Sequence, residues 1–121
     1  MSEPVDEFVD GFTRLRIDFG YDGTDFYGWS KQPGLRTIQG EFIEAFTTIF
    51  GESDSDFGLR VAGRTDAGVH AIGCVAHCDL TDEQLGRLGR QTIDDLAYKL
   101  NGLLPADLRV KSVVVAPAGF D

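Results

Sequence analysis

Cysteine, methionine and tryptophan are scarce in this chain of 121 residues, which holds two, one and one of them. Cys74 and Cys78 stand four positions apart in a strand-like segment, roughly 13 Å at about 3.3 Å per residue, too far for a disulfide. The same separation argues against a shared metal ion, although His70 and His77 lie nearby. Free thiols fit a reducing cytoplasm. Long apolar runs are missing too: no stretch approaches the roughly 18 residues that a membrane span needs, so no membrane partner is expected. Positive charge is missing from the N-terminus, where Glu3, Asp6, Glu7 and Asp10 stand without a Lys or Arg. That excludes a signal peptide, and residues 1–11 read as a disordered acidic leader. An excess of positive charge is missing altogether, since 11 basic residues face 20 acidic ones for a net charge of −9. Such a balance argues against a nucleic-acid partner until the placement of the basic residues is known.

What is present is one domain's worth of chain, able to bury roughly two-thirds of its unfolded surface without staples. Thr13 to Tyr21 alternates, with Leu15, Ile17, Phe19 and Tyr21 on one face and Arg14, Arg16 and Asp18 on the other, as a half-buried strand does. Asp22-Gly23 closes it, and a loop rich in glycine and aromatics follows, from Phe26 to Gly34. Thr37 is a candidate N-cap for a helix with Ile38, Phe42, Ala45, Phe46 and Ile49 on its apolar stripe and Gly51 as its stop. A second strand is expected over Phe57–Gly63 and a third over Val69–Asp79. Thr81-Asp82-Glu83-Gln84 has the capping-box pattern. A longer helix is expected from Thr92 to Asn101, ended by Gly102 and Pro105. Leu108–Ala116 reads as a fourth strand, with Arg109 and Lys111 opposite Leu108 and Val110.

The order β-α-β-β-α-β predicts an α+β, ferredoxin-like domain: a four-stranded antiparallel sheet with two helices on one face. The apolar side of each strand must face the helices. By parity Arg14, Arg16, Arg60, Arg64, Arg109 and Lys111 then fall on the open face, six of the 11 basic residues, while the acids crowd loops and helices. A face of that kind suits a polyanion or a carboxylate-bearing domain, although a solvated strand face has the same pattern.

Between the second and third strands lies Gly63-Arg64-Thr65-Asp66-Ala67-Gly68-Val69-His70-Ala71. Aspartate and glycine in such a hairpin loop serve turn geometry. The same carboxylate can also be a nucleophile. Gly63 and Gly68 permit close approach of a ligand, and Arg64 can hold the acid ionised or contact a phosphate or a displaced base.

This stretch resembles the signature of the TruA family of tRNA pseudouridine synthases. So do, in order, Tyr21-Asp22-Gly23-Thr24 with Gly28-Trp29, Gln32 with Thr37-Ile38-Gln39-Gly40, and Asn101-Gly102-Leu103-Leu104-Pro105 with Asp107. The resemblance runs from about Arg14 to Phe120. It implies a cofactor-free, metal-free isomerase that converts uridine to pseudouridine at positions 38 to 40 of the tRNA anticodon stem-loop. It makes Asp66 the catalytic carboxylate, attacking C1′ of the ribose or C6 of the uracil, and Arg64 the residue associated with flipping the base. Family members are about twice this length. The resemblance therefore makes residues 12–121 an N-terminal catalytic-aspartate domain, inactive alone, with tRNA and its own C-terminal half as partners; whether a second copy of the chain is a further partner the sequence leaves open, the exposed basic face being able to promote such association.

The remaining candidates are RNA contacts: Thr65 and His70 beside the acid, Arg14, Arg16 and Arg60 on the sheet face, and Lys31 and Arg36 flanking the glycine-rich loop. His70 reads equally as a hydrogen-bonded structural residue. Ser30 stands where many relatives carry glutamine. Two other readings compete: a non-catalytic RNA-binding module using the basic sheet face, and a small-molecule sensing or structural domain. The open face lacks the aromatics of sheet-based RNA binders, which counts against the first. The second gives no reason for the Gly63 to Ala71 string.

Overall fold

The computed structural model describes residues 12–52, 55–61, 71–88 and 93–116. The expected acidic leader and the Gly63 to His70 stretch lie outside them. Strand β1 (Phe12–Tyr21) runs through the middle, its alternation enclosing Leu15, Ile17 and Phe19 completely. It pairs antiparallel on one side with β3 (Ala71–Thr81) and on the other with β4 (Leu108–Val115). Strand β2 (Arg60–Val61) pairs antiparallel with β3, so the sheet order is β2-β3-β1-β4. With helices α1 (Ile38–Phe50), α2 (Asp82–Gly86) and α3 (Ile93–Leu103) in sequence, this is the expected α+β arrangement.

Helix α1 begins and ends where capping chemistry demands. The Thr37 hydroxyl accepts the Gly40 N–H at 3.1 Å, and Gly51 takes a left-handed φ of 69° while donating to the Thr47 carbonyl at 2.8 Å. Its buried face carries Ile38, Phe42, Ala45, Phe46 and Phe50. Phe42 meets Phe19 edge-on at 5.3 Å and lies 6.3 Å from Trp29. Phe46 and Phe50 close around Phe57 at 5.4 and 6.0 Å. The capping box at α2 is complete: Thr81 and Gln84 exchange bonds of 3.0 and 2.8 Å.

Two expectations needed correction. The strand expected over Phe57–Gly63 contains, among the described residues, only the two of β2. Phe57 and Gly58 instead form a turn with φ of 55° and 66°, closed by Leu59 N–H donating to the Asp56 carbonyl at 2.9 Å. Burial of the Phe57 ring in the aromatic cluster wins over its backbone preference. Helix α3 does not stop at Gly102 but runs to Leu103. Its end is set by Pro105 and by Arg109, which donates to the Leu104 and Pro105 carbonyls at 2.7 and 2.9 Å. Strand β4 has Leu108 and Val110 buried with Arg109 and Lys111 exposed, as expected, and its register then shifts: Asp18 pairs with Ser112 and the next residue, Phe19, with Val110. Lys111 is therefore the extra residue of a β-bulge, and Val113 turns inward in its place.

Candidate nucleic-acid interface

The chain leaves β2 at Val61 and re-enters the sheet at Ala71, the start of its neighbour β3. Val61 pairs with Ala76, and β3 reaches on to pair Ala71 with Tyr21, which also pairs with Leu108. Residues 62–70 thus connect two adjacent strands. Asp66, Arg64, Thr65 and His70 all fall within that connection, outside the described residues.

The remaining candidates are described, and the three on the sheet face, Arg14, Arg16 and Arg60, each have an acidic neighbour. Arg14 grips Asp79, its direct cross-strand partner, through Nε at 2.7 Å and Nη2 at 2.9 Å. Arg16 reaches Asp18 at 3.1 Å, and the other Asp18 oxygen accepts the Ser112 hydroxyl at 3.2 Å. Arg60 contacts Asp56 at 3.3 Å and donates to the Leu59 carbonyl at 2.7 Å. His77 is the cross-strand neighbour of both Arg16 and Arg60. The open face is therefore a row of arginine–aspartate pairs with a histidine between two of them. The acids do not keep to loops and helices: Asp18 and Asp79 share the face. Parity of Asp79 against Arg14 was the signal that could have found this.

A phosphate approaching these guanidiniums must compete with carboxylates already there. The competition is mild where the pair is exposed, because such pairs contribute roughly 0–1 kcal/mol. The Arg60 and Asp56 side chains are 59% and 56% exposed, against 30% and 25% for Arg14 and Asp79. Arg60, next to the point where 62–70 departs, is the arginine of the three best able to exchange its partner. Asp56 is held below the usual carboxylate range first by the Gly58 N–H and then by Arg60. It stays anionic without that arginine's help.

Lys31 and Arg36 border a groove of about 750 Å³ between the 31–36 loop and α1, opposite Glu41 and Glu44. Arg36 is engaged within the protein. It forms a two-pronged pair with Asp107 at 2.9 and 2.7 Å and stacks 4.1 Å from the Phe26 ring centre. The Asp107 carbonyl also accepts the Asp22 N–H at 3.0 Å. One aspartate thereby ties both ends of the glycine-rich loop to the approach of β4. Asp107 stood in the sequence as part of a motif, with nothing local to name its partner, 71 residues away.

Asp107→Ala is expected to cost about 1–2 kcal/mol at neutral pH, since water screens part of the pair. The bond from Arg36 holds the Asp107 carboxyl below its ordinary value, against the upward push of burial. A carboxyl depressed by folding contributes stability that is present above its unfolded value of about 3.9 and lost as pH falls through the folded one. Urea unfolding of the protein and the variant should therefore converge below about pH 4. Glu41 is shifted the other way, raised first by burial, so its protonation offsets part of the acid loss. A stability gap that stays constant down to about pH 2 would reject the role given to Asp107.

Burial raises both thiols, Cys78 by far the more, so neither is a thiolate nucleophile at neutral pH. Among the described residues there is no His, Cys, Asp and Glu group able to hold a metal ion. Among them no helix is long and apolar enough to cross a membrane.

The strand–helix–strand–strand–helix–strand order, with Arg60 beside the point where the chain leaves β2, is the fold class expected from the sequence. The profile of the tRNA pseudouridine synthase family matches residues 19–119, and the chain belongs to that family. Curated relatives named tRNA pseudouridine synthase A include those of Streptomyces avermitilis, 49% identical over 117 residues, and Mycobacterium leprae, 47% identical over 115. The match covers 96% and 89% of this chain but 40% and 39% of those proteins. A relative from Leifsonia xyli, 49% identical, is covered to 43%. The chain spans about two-fifths of the length of the relatives it matches.

Proposed function

We propose that this chain is the aspartate-bearing N-terminal domain of a cytoplasmic tRNA pseudouridine synthase acting at positions 38 to 40 of the anticodon stem-loop. The observation that supports it most is the family match over residues 19–119, which includes the whole Gly63 to Ala71 stretch. Asp66 is the nucleophile in this reading. Its carboxylate attacks C1′ or C6, the N1–C1′ bond breaks, the base turns, and C5 bonds to C1′ as the carboxylate is released. The C5 hydrogen leaves as a proton and N1 gains one, so no oxidant or metal is consumed. The uridine must leave its stack to reach the acid, and Arg64 fills the space it vacates. Thr65 and His70 flank the acid, and Arg60, Arg14, Arg16, Lys31 and Arg36 are the candidate phosphate contacts.

The C-terminal portion present in the relatives is the second wall of the cleft. This chain joined to the C-terminal portion of the Streptomyces avermitilis relative is expected to release tritium from 5-tritiated uridine in tRNA, and the chain alone to release none. Absence of release by the joined protein, folded and tRNA-bound, would count against the reading.

A further inference from the structure

Phe26, Tyr27 and Trp29 are the aromatic residues of the glycine-rich loop, and the fold treats them differently. Phe26 and Trp29 are buried against β1: Phe26 meets Tyr21 edge-on at 6.3 Å, and Trp29 lies 6.1 Å from Phe19. Tyr27, between them, is 56% exposed. Gly28, at a φ of 83°, turns the chain after Tyr27, and the next ring goes in while this one stays out.

The backbone around Tyr27 is nonetheless fixed. Its N–H donates to the Arg36 carbonyl at 2.8 Å, and the Gly28 and Trp29 carbonyls accept the N–H groups of Ile38 and Gln39, in the first turn of α1, at 3.1 and 2.8 Å. The Gln39 side chain holds the loop further on, its Oε1 accepting the Lys31 main-chain N–H at 2.8 Å while its Nε2 donates to the Leu59 carbonyl at 3.3 Å. Arg36, locked by Asp107, covers the neighbouring Phe26 ring. An exposed ring on a backbone this constrained has little freedom left to lose on binding.

The loop stands at the end of the sheet where β3 and β4 begin, because Tyr21 pairs with both Ala71 and Leu108. Tyr27 and Leu35 are its exposed large apolar side chains, a patch well short of the roughly 800 Å² per partner that a stable protein interface needs. Across residues 22–36, Asp22 and Asp25 balance Lys31 and Arg36, so charge alone does not draw a phosphate to Tyr27. A nucleobase needs only one ring and no net charge, since its flat face stacks on an aromatic side chain.

We propose that Tyr27 is a stacking platform for a nucleobase of bound tRNA. The inference rests on the reading of tRNA as the substrate.

In the joined protein, Tyr27→Ala should weaken tRNA binding about tenfold and Tyr27→Phe by less than about twofold in equilibrium filter binding. The slope of log affinity against log salt should match the parent's in both, since no phosphate contact is lost. The melting temperature of Tyr27→Ala should stay within about 2 °C of the parent's, as for other exposed positions. Tetranitromethane should nitrate Tyr27 in the RNA-free joined protein and fail to do so under saturating tRNA. Affinity within about twofold of the parent in Tyr27→Ala overturns the inference and leaves the site reading standing. Protection of Tyr27 without tRNA overturns it in favour of burial against the C-terminal portion, and so does a larger fall in melting temperature. An equal loss in Tyr27→Phe and Tyr27→Ala assigns the contact to the hydroxyl and overturns stacking. A parent joined protein that is folded and binds no tRNA overturns the site reading and this inference with it.

Discussion

Asp66→Ala in the joined protein is expected to lower turnover of 5-tritiated uridine in tRNA by at least about 10³-fold, with tRNA affinity within about twofold. The proposed reaction is an isomerisation without redox or hydrolysis, in which the joined protein's task is to hold the ribose and base while the bond between them is exchanged. A carboxylate does that by forming an ester or an adduct that leaves again, and alanine offers no atom for it. Binding behaves differently in the proposed reading because it rests on phosphates and cations, and the candidate contacts Arg60, Arg14, Arg16 and Lys31 are untouched. Removing one acid from a site that meets a polyanion should tighten binding slightly. Asp66→Asn should be as inactive as the alanine variant, since the amide keeps the shape and loses the nucleophile. Equilibrium binding and single-turnover tritium release on the same preparations separate the two effects. Turnover within about tenfold of the parent in a folded Asp66→Ala protein would move the nucleophile elsewhere.

Local chemistry was legible in the sequence wherever it was complete within a few residues. Thr37 and Gly51 bracket α1 as capping geometry requires, and Thr81 with Gln84 closes the box of α2. Alternation found β1 and β3 because one face of each is pressed against helices. Decisions made by distant residues were not legible. A phenylalanine at φ 55° carries no local signal, and Phe57 adopts it because Phe46 and Phe50 receive its ring. The bulge at Lys111 follows from register against β1, and the Arg109 bonds to the Leu104 and Pro105 carbonyls, just past the end of α3 at Leu103, come from a residue on β4. The candidate site was named from a motif, Arg64 and Asp66 with it, and that motif lies outside the described residues. The charge of its surroundings was legible only in part: Asp18, beside Arg16 on β1, could be placed on the face by alternation, whereas Asp79 answers Arg14 across strands. Gln39 passed as part of a helix start, and its hold on Leu59 became visible only with the fold.

Phe46→Ala is expected to destabilise the chain by about 3–5 kcal/mol, the usual cost of emptying a buried aromatic site. The ring is fully enclosed, 5.9 Å from Phe50 and 5.4 Å from Phe57, on the face of α1 that meets the sheet. Its loss removes packing and also one of the two rings that hold Phe57 in a left-handed conformation costing roughly 1–3 kcal/mol. The neighbours cannot close the gap cheaply. Phe50 is fixed in the last turn of α1, and Gly58 sits so close to Asp79 that a Cβ there would lie 3.1 Å from that residue's own. The Asp56 to Leu59 turn therefore cannot slide into the cavity. For a domain near this size each kcal/mol moves the melting temperature by about 4–8 °C, so a fall of about 15–30 °C is expected in a thermal scan. Phe46→Leu, which refills most of the volume, should lose less than half as much. Because that turn feeds β2, hydrogen exchange in 55–61 should rise ahead of exchange in β1. A loss below about 1 kcal/mol in Phe46→Ala would mean that the cluster around Phe57 carries little of the turn's stability.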